Sequence, residues 1–272
     1  MQSGPNGSTN GDAPILVERD GRVGRVWMNR PERRNALIPE MWHSLADAVR
    51  ELDADDSIRA IVLSGTGGAF CSGHDIEVKD SGTPDRPPRP MIVHMQSVTE
   101  AVMALHRLST PTVARVVGAA AGGGCGLALA CDLVVAADSA KFFWAFAKRG
   151  LVPDTGASWW LPRLVGVKAA MELLLLGTTM DAVSAKEMGL VNHVVPVADI
   201  DDAVREFTDQ LCAGPPVANA LTKRLVYRSL TIGLEEALDD EASAQSAVWA
   251  TRDRREAFKA FLERRDPQFE GA

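Results

Sequence analysis

Two short runs constrain this fold more than any other feature: Ala60–Leu63 (AIVL) and Thr112–Val117 (TVARVV). Each is β-rich and largely apolar, and each closes on small residues. The first leads through SGTGGA into FCSGHDI, the second into GAAAGGGCG. Between them lie a proline-rich stretch, SGTPDRPPRP, and a segment of helical spacing from about Met91 to Leu108. Strands joined through a helix pair in parallel across a crossover, whereas a tight turn gives an antiparallel hairpin.

The rest of the chain extends this alternation. ILVERDGRVGRVWMN predicts a hairpin turning at Asp20-Gly21. Pro39 to Leu52 carries Met41, Leu45, Ala48, Val49 and Leu52 at helical spacing. DLVVAAD predicts a strand, Lys168–Leu176 and Ala182–Met188 predict helices, and Leu190–Val195 predicts a strand. Beyond Asp199 the pattern is helical to about Arg264. The expectation is an α/β fold with a mostly parallel sheet, divided into a lead-in (1–13), a core (14–198) and a C-terminal helical region (199–272).

Composition narrows the function classes. The 272 residues are 46% hydrophobic and 24% charged, as in an ordinary globular protein. A net charge of -7 argues against a nucleic-acid partner. No apolar run is long enough to span a bilayer, and the first residues lack the charged and apolar regions of a signal peptide. Four cysteines without a CxxC pair predict reduced thiols and a cytoplasmic setting. Five histidines without ligand spacing predict no metal site.

The two glycine-bearing turns are the candidate site. Strand-to-helix turns of small residues expose backbone N–H groups, and a helix start adds partial positive charge. Three consecutive glycines, 122–124, either admit a ligand close to the backbone or only permit tight packing. Neither turn fits GxxxxGK[ST], and the second does not supply GxGxxG, so no nucleotide loop is expected.

At this level of detail the chain resembles the enoyl-CoA hydratase/isomerase (crotonase) family. The resemblance rests on RPERRNAL (30–37), AIVLSGTGGAFCSGHDI (60–76), GAAAGGGCGLALACDLVVAAD (118–138), GLVPDTGASWWLPRLVG (150–166), SAKEMGLVNHVV (184–195) and FKAFLERRDPQF (258–269). It implies a spiral of ββα units with a trimerising helical tail, assembled as a homotrimer or a dimer of trimers. It implies an acyl-CoA thioester substrate, with no cofactor beyond the substrate's own CoA. It also implies an enolate held by two backbone N–H groups, here those of His74 and Gly123. Ala36, Ser72, Gly73, Asp75 and Ile76 are expected along the CoA path. Arg34 (or Arg33) is expected near its phosphates, and Lys259 near a neighbouring copy's CoA. Where the family often has alanine, this chain has His74, whose imidazole is expected to face the acyl or pantetheine channel. Cys71 is expected to be a packed thiol rather than a nucleophile.

The chain departs from the family's hydratases. Their two catalytic glutamates match Gly126 and Phe146 here, and neither side chain moves a proton. One acid remains nearby, Asp154, either as a helix cap or as a base raised by Phe142, Phe143, Trp144, Phe146, Trp159 and Trp160 around it. The pattern resembles most closely the single-aspartate isomerase branch, in which one carboxylate carries a proton between carbons. Alternatives are an atypical hydratase, an aryl- or acyl-CoA hydrolase or dehalogenase with Asp154 as nucleophile, and a non-catalytic acyl-CoA binder. Dehalogenases add a histidine from the helix after the proline-rich loop. His94 and His106 lie on that helix, where each is expected to be a satisfied or surface residue. The three tryptophans are expected in the core.

Overall fold

The computed structural model describes residues 12–77 and 90–272. Most of the lead-in and most of the proline-rich loop lie outside these residues. The chain opens with the expected hairpin, β1 (Ile15–Asp20) and β2 (Val23–Met28), then α1 (Pro39–Asp53) and β3 (Ala60–Gly65). Next come α2 (Met91–Arg107), β4 (Thr112–Val116), β5 (Ala119–Ala121), α3 (Gly123–Ala130), β6 (Leu133–Ala137) and β7 (Lys141–Phe143). After them follow α4 (Ala157–Leu176), β8 (Thr179–Asp181), α5 (Ala182–Glu187), β9 (His193–Val195), α6 (Ile200–Ala213), α7 (Pro216–Ser229), α8 (Leu234–Trp249) and α9 (Arg252–Glu263).

The larger sheet runs β1-β2-β3-β4-β6-β9. Only β1 and β2 pair antiparallel; every later neighbour is parallel, as the alternation predicts. Side chains of β3 divide by period two. Ile61 and Leu63 enter the main core, where α1 buries Met41, Trp42, Leu45, Val49 and Leu52. Val62 faces the other side, with Val113, Val135, Ile200 and Val204. Both faces are therefore covered, which explains strands that read as continuous apolar runs.

Two features escaped the sequence-based reading. The first tail helix, α6, packs on the core: its Ile200 and Val204 seal one face of the sheet. Arg115, anomalous in a central strand, is accounted for by the same helix, since its Nε donates to Asp201 at 2.7 Å. Asp132 then ties α7 to the core. It accepts from Thr112 N–H, Lys223 Nζ (2.8 Å) and Tyr227 Oη (3.0 Å).

The second is a small sheet, β5-β7-β8, that periodicity did not reveal. It holds Ala119–Ala121 beside Lys141–Phe143 and so fixes the entry to α3. The helix expected over 168–176 is the second half of α4, which begins at Ala157 and breaks at Gly166 (φ 76°, ψ 161°). Among the described residues no helix is long and apolar enough to cross a membrane, and no group of three or more His, Cys, Asp or Glu side chains is placed to hold a metal.

Candidate active site

FCSGHDI leaves β3 and is held between two neighbours. On one side Cys71 pairs with Ala120 of β5: Cys71 N–H donates to Ala119 O, and Ala121 N–H donates to Cys71 O at 2.8 Å. On the other side His74 pairs with Leu37: Leu37 N–H donates to Gly73 O at 2.8 Å, and Asp75 N–H donates to Leu37 O at 2.9 Å. In such a bridge the flanking residues supply the bonds. The N–H of His74 itself therefore faces the opposite side, toward β5 and α3.

Gly73 makes this geometry possible. Its φ is +87°, and a Cβ there would stand 2.8 Å from Ala121 O and 3.5 Å from Gly123 N. The two glycine-bearing turns thus touch where Gly73 approaches Ala121 and Gly123. Gly123 opens α3 after Gly122 (φ 51°), and Gly126 N–H makes the helix's first bond, to Gly122 O. Gly123 N–H is therefore one of the free donors at a helix start. Among the described residues, no group accepts from either N–H. Two N–H groups without acceptors on turns that touch are candidate donors for a developing negative charge.

Asp154 borders this point. A Cβ at Gly123 would lie 3.9 Å from Asp154 Oδ1, 3.3 Å from Thr155 Cγ2 and 3.7 Å from the Trp42 ring. Of the two alternatives for Asp154, the side-chain helix cap does not hold. The N-cap of α4 is Gly156, without a side-chain cap, and Asp154 contributes only its carbonyl, to Ala157 N–H. Its carboxylate bonds Thr155 Oγ1 at 3.3 Å. Burial pushes its pKa up from the ordinary carboxylate value, against smaller opposing effects from the Thr155 hydroxyl and from His94. That is the environment of a usable base.

The two positions where glutamates are absent are physically closed. A Cβ at Gly126 would meet Thr155 Oγ1 at 2.0 Å and Thr155 O at 2.7 Å, so Thr155 fills that space. Phe146 is buried, its ring 3.9 Å from a Cβ built at Gly122. Thr155 and Trp42 were not readable as site residues. Thr155 sits in the left-handed region (φ 51°), which an ungapped comparison of motifs does not disclose.

His94 is half-buried on α2, its ring 4.9 Å from that of His74, and a positive charge on it would lower the pKa of Asp154. Burial lowers the pKa of His74. His106 lies elsewhere, ringed by Trp159, Trp160 and Tyr227. Its Nδ1 lacks a partner among the described residues, so it is not the satisfied histidine expected. Trp144 and Trp160 are core residues, whereas Trp159 is only half-buried. Cys71 is fully buried and its thiol is pushed up to about 12, so it is no nucleophile at neutral pH.

The remaining expected residues divide. Ser72 is half-buried, its hydroxyl on Arg33 O at 3.2 Å, and Ile76 is exposed. Ala36 is buried at the Leu37 bridge. Arg34 is exposed in the left-handed conformation, while Arg33 is drawn onto Glu77. Asp75 is buried, its carboxylate bonded to Arg30, and so it shapes the turn. Lys259 lies on exposed α9, beside Glu263.

Comparison with known proteins decides the family. The family model described as enoyl-CoA hydratase/isomerase matches residues 18–272. The chain belongs to the enoyl-CoA hydratase/isomerase family. A Mycobacterium bovis relative named as a probable enoyl-CoA hydratase is 40% identical, covering 94% of this chain and 97% of the relative. The 1,2-epoxyphenylacetyl-CoA isomerase of Escherichia coli K12 is 38% identical over 94% and 98%. A crystal structure of enoyl-CoA hydratase from Mycobacterium smegmatis superposes with a TM-score of 0.88 at 35% identity, covering 95% and 99%. The fold is the crotonase fold, and the chain is an enzyme of that superfamily.

The close approach of Gly73 to Ala121 and Gly123 in this family member makes one substitution diagnostic. Gly73→Ala adds a Cβ at positive φ against Ala121 O and tilts the His74 peptide. Steady-state kinetics on its acyl-CoA substrate should show kcat lower by about a hundredfold or more, the usual consequence of losing one oxyanion donor. An unchanged kcat would contradict the assignment of that N–H.

Proposed function

We propose that the protein isomerises the double bond of an enoyl-CoA thioester, with Asp154 as its single base. The observation that carries this reading is the placement of Asp154 Oδ1 beside Gly123, together with the filling of the Gly126 position by Thr155. A 3-enoyl thioester would lie with its carbonyl oxygen between the N–H groups of His74 and Gly123. Asp154 removes a proton from C2. The electron pair moves through the dienolate onto the carbonyl oxygen. Asp154 then delivers the proton to C4, leaving the double bond between C2 and C3. One proton moves and no electrons are gained or lost, so the steps require no cofactor besides the substrate's CoA.

Water addition is less well supported, because it requires one group to activate water and a second to supply a proton. His94 gives a specific reason to weigh a second reading. The family resemblance implies that dehalogenases pair an aspartate nucleophile with a histidine from the helix after the proline-rich loop, and His94 lies on α2 with its ring 4.9 Å from that of His74. One substrate panel separates these readings. Purified protein receives 3-enoyl-CoA, 2-enoyl-CoA and an aryl-CoA halide, each also with Asp154→Asn. The isomerase reading predicts turnover of 3-enoyl-CoA, lost by about a thousandfold or more in Asp154→Asn, in keeping with the worth of a general base. Its kcat/KM should fall on the acid side with a midpoint above the ordinary aspartate value near 3.9, since burial raises that pKa and only the ionised form accepts a proton. Turnover that survives Asp154→Asn would sink this base, and halide release would favour the second reading.

The apolar surface supports an assembly. Leu234, Trp249, Phe258, Phe261 and Leu262 of α8 and α9 are exposed, as are Val167 and Met171 of α4. We read these as surfaces covered by neighbouring copies, in a homotrimer or dimer of trimers. Light scattering coupled to size exclusion should give three or six times the 29.2 kDa chain mass; a monomer would contradict it.

A further inference from the structure

Arg30 touches none of the atoms assigned to the reaction, yet its contacts converge on the segment that aims one oxyanion donor. We propose that Arg30 is a positioning residue for the oxyanion hole, acting through Asp75 to set the direction of the His74 N–H. The inference rests on the acyl-thioester reading given above.

A single nitrogen, Arg30 Nη1, donates to Ala36 O at 2.7 Å and to Asp75 Oδ2 at 2.9 Å. These acceptors belong to the residue before Leu37 and the residue after His74, the two members of the bridge. One guanidinium nitrogen therefore spans both strands of the bridge beside the donor. The other oxygen of Asp75, Oδ1, takes the N–H of Glu77 at 3.0 Å, which ends the turn. The carboxylate is only 5% exposed and its arginine side chain 17%, so the pair is screened little by solvent.

Arg30 is itself fixed. Its N–H donates to Asn35 Oδ1 at 2.9 Å, and its carbonyl accepts from Asn35 N–H. Asn35, buried at φ 56°, spends its amide on Thr66 O and Ala69 O, at the end of β3. A rigid line thus runs from the end of β3 through Asn35 and Arg30 to Asp75. His74 follows Gly73, the flexible residue at φ +87°, so its peptide has no helix or regular strand to hold it. With Asp75 released, the His74 peptide is left with the Leu37 bridge alone.

A merely stabilising pair and a positioning pair differ in the bound state. The test uses the full-length protein and a conjugated aryl-enoyl-CoA of the cinnamoyl type. The absorbance of such a ligand moves to longer wavelength when two donors polarise its carbonyl. The variants are Arg30→Met, Arg30→Lys and Asp75→Asn, with Asp154→Asn as the reference whose hole is intact. At saturating ligand, wild type and Asp154→Asn should show the full shift. Arg30→Met and Asp75→Asn should lose half of it or more, with kcat lower by tenfold or more and KM within about threefold, as for partial loss of one donor. Arg30→Lys, which keeps charge and donors, should recover part of the shift. Should Arg30→Met fail to fold, Asp75→Asn and Arg30→Lys carry the comparison. Wild-type shifts in Arg30→Met or Asp75→Asn would overturn the proposal while leaving the acyl-thioester reading standing. Absence of any binding or shift in the wild type would overturn both.

Discussion

The candidate site depends on the contact between two glycine-bearing turns, which brings Gly73 against Ala121 and Gly123. Among the described residues the N–H groups of His74 and Gly123 have no acceptor, and the surroundings enforce this. Here the enforcement is backbone bonding. Leu37 takes the bonds on either side of His74, and β7 takes the N–H of Gly122 through Phe143 O, leaving Gly123 N–H at the start of α3. The larger sheet supplies the two strand ends, and the three-stranded sheet locks their separation. Such donors require no reorganisation when charge develops, which makes them effective in the transition state.

Around this fixed device the chemistry is set by what stands next to it. Thr155 occupies the space over Gly126, so a glutamate there would have to displace a backbone carbonyl as well as a side chain. Its left-handed conformation turns the loop so that Asp154 lies beside Gly123 rather than capping α4. The proposed isomerisation rests on this arrangement, one acid beside Gly123 and no glutamate at positions 126 and 146. His94 and His74 add two imidazole rings, 4.9 Å apart, to these surroundings.

Much of this was legible in the sequence for physical reasons. The buried strands β3 and β4 announce themselves as apolar runs, and their small-residue ends mark where a backbone must come close. Asp154 was visible because it is the acid left in GLVPDTGAS once Gly126 and Phe146 removed the glutamates. What escaped depends on contacts distant in sequence. The strands β5, β7 and β8 are three residues each, too short for any period to show. Pro162 and the break at Gly166 concealed the first half of α4. Trp42 belongs to a helical stripe that signals only core. His94 follows a loop whose length shifts any comparison, so its approach to His74 needed coordinates. Arg30 and Asp75 lie 45 positions apart, and nothing in either motif pairs them.

In the proposed reaction one carboxylate carries one proton between two carbons of a substrate whose enolate is held by His74 and Gly123. The most direct measurement follows that proton. A 3-enoyl-CoA deuterated at C2 is turned over in ordinary water, and the product is read by NMR and mass spectrometry. A single-base shuttle predicts 2-enoyl-CoA with a measurable share of the deuterium transferred to C4. A 3-hydroxyacyl product, or a 2-enoyl product whose C4 never carries the label, would contradict it.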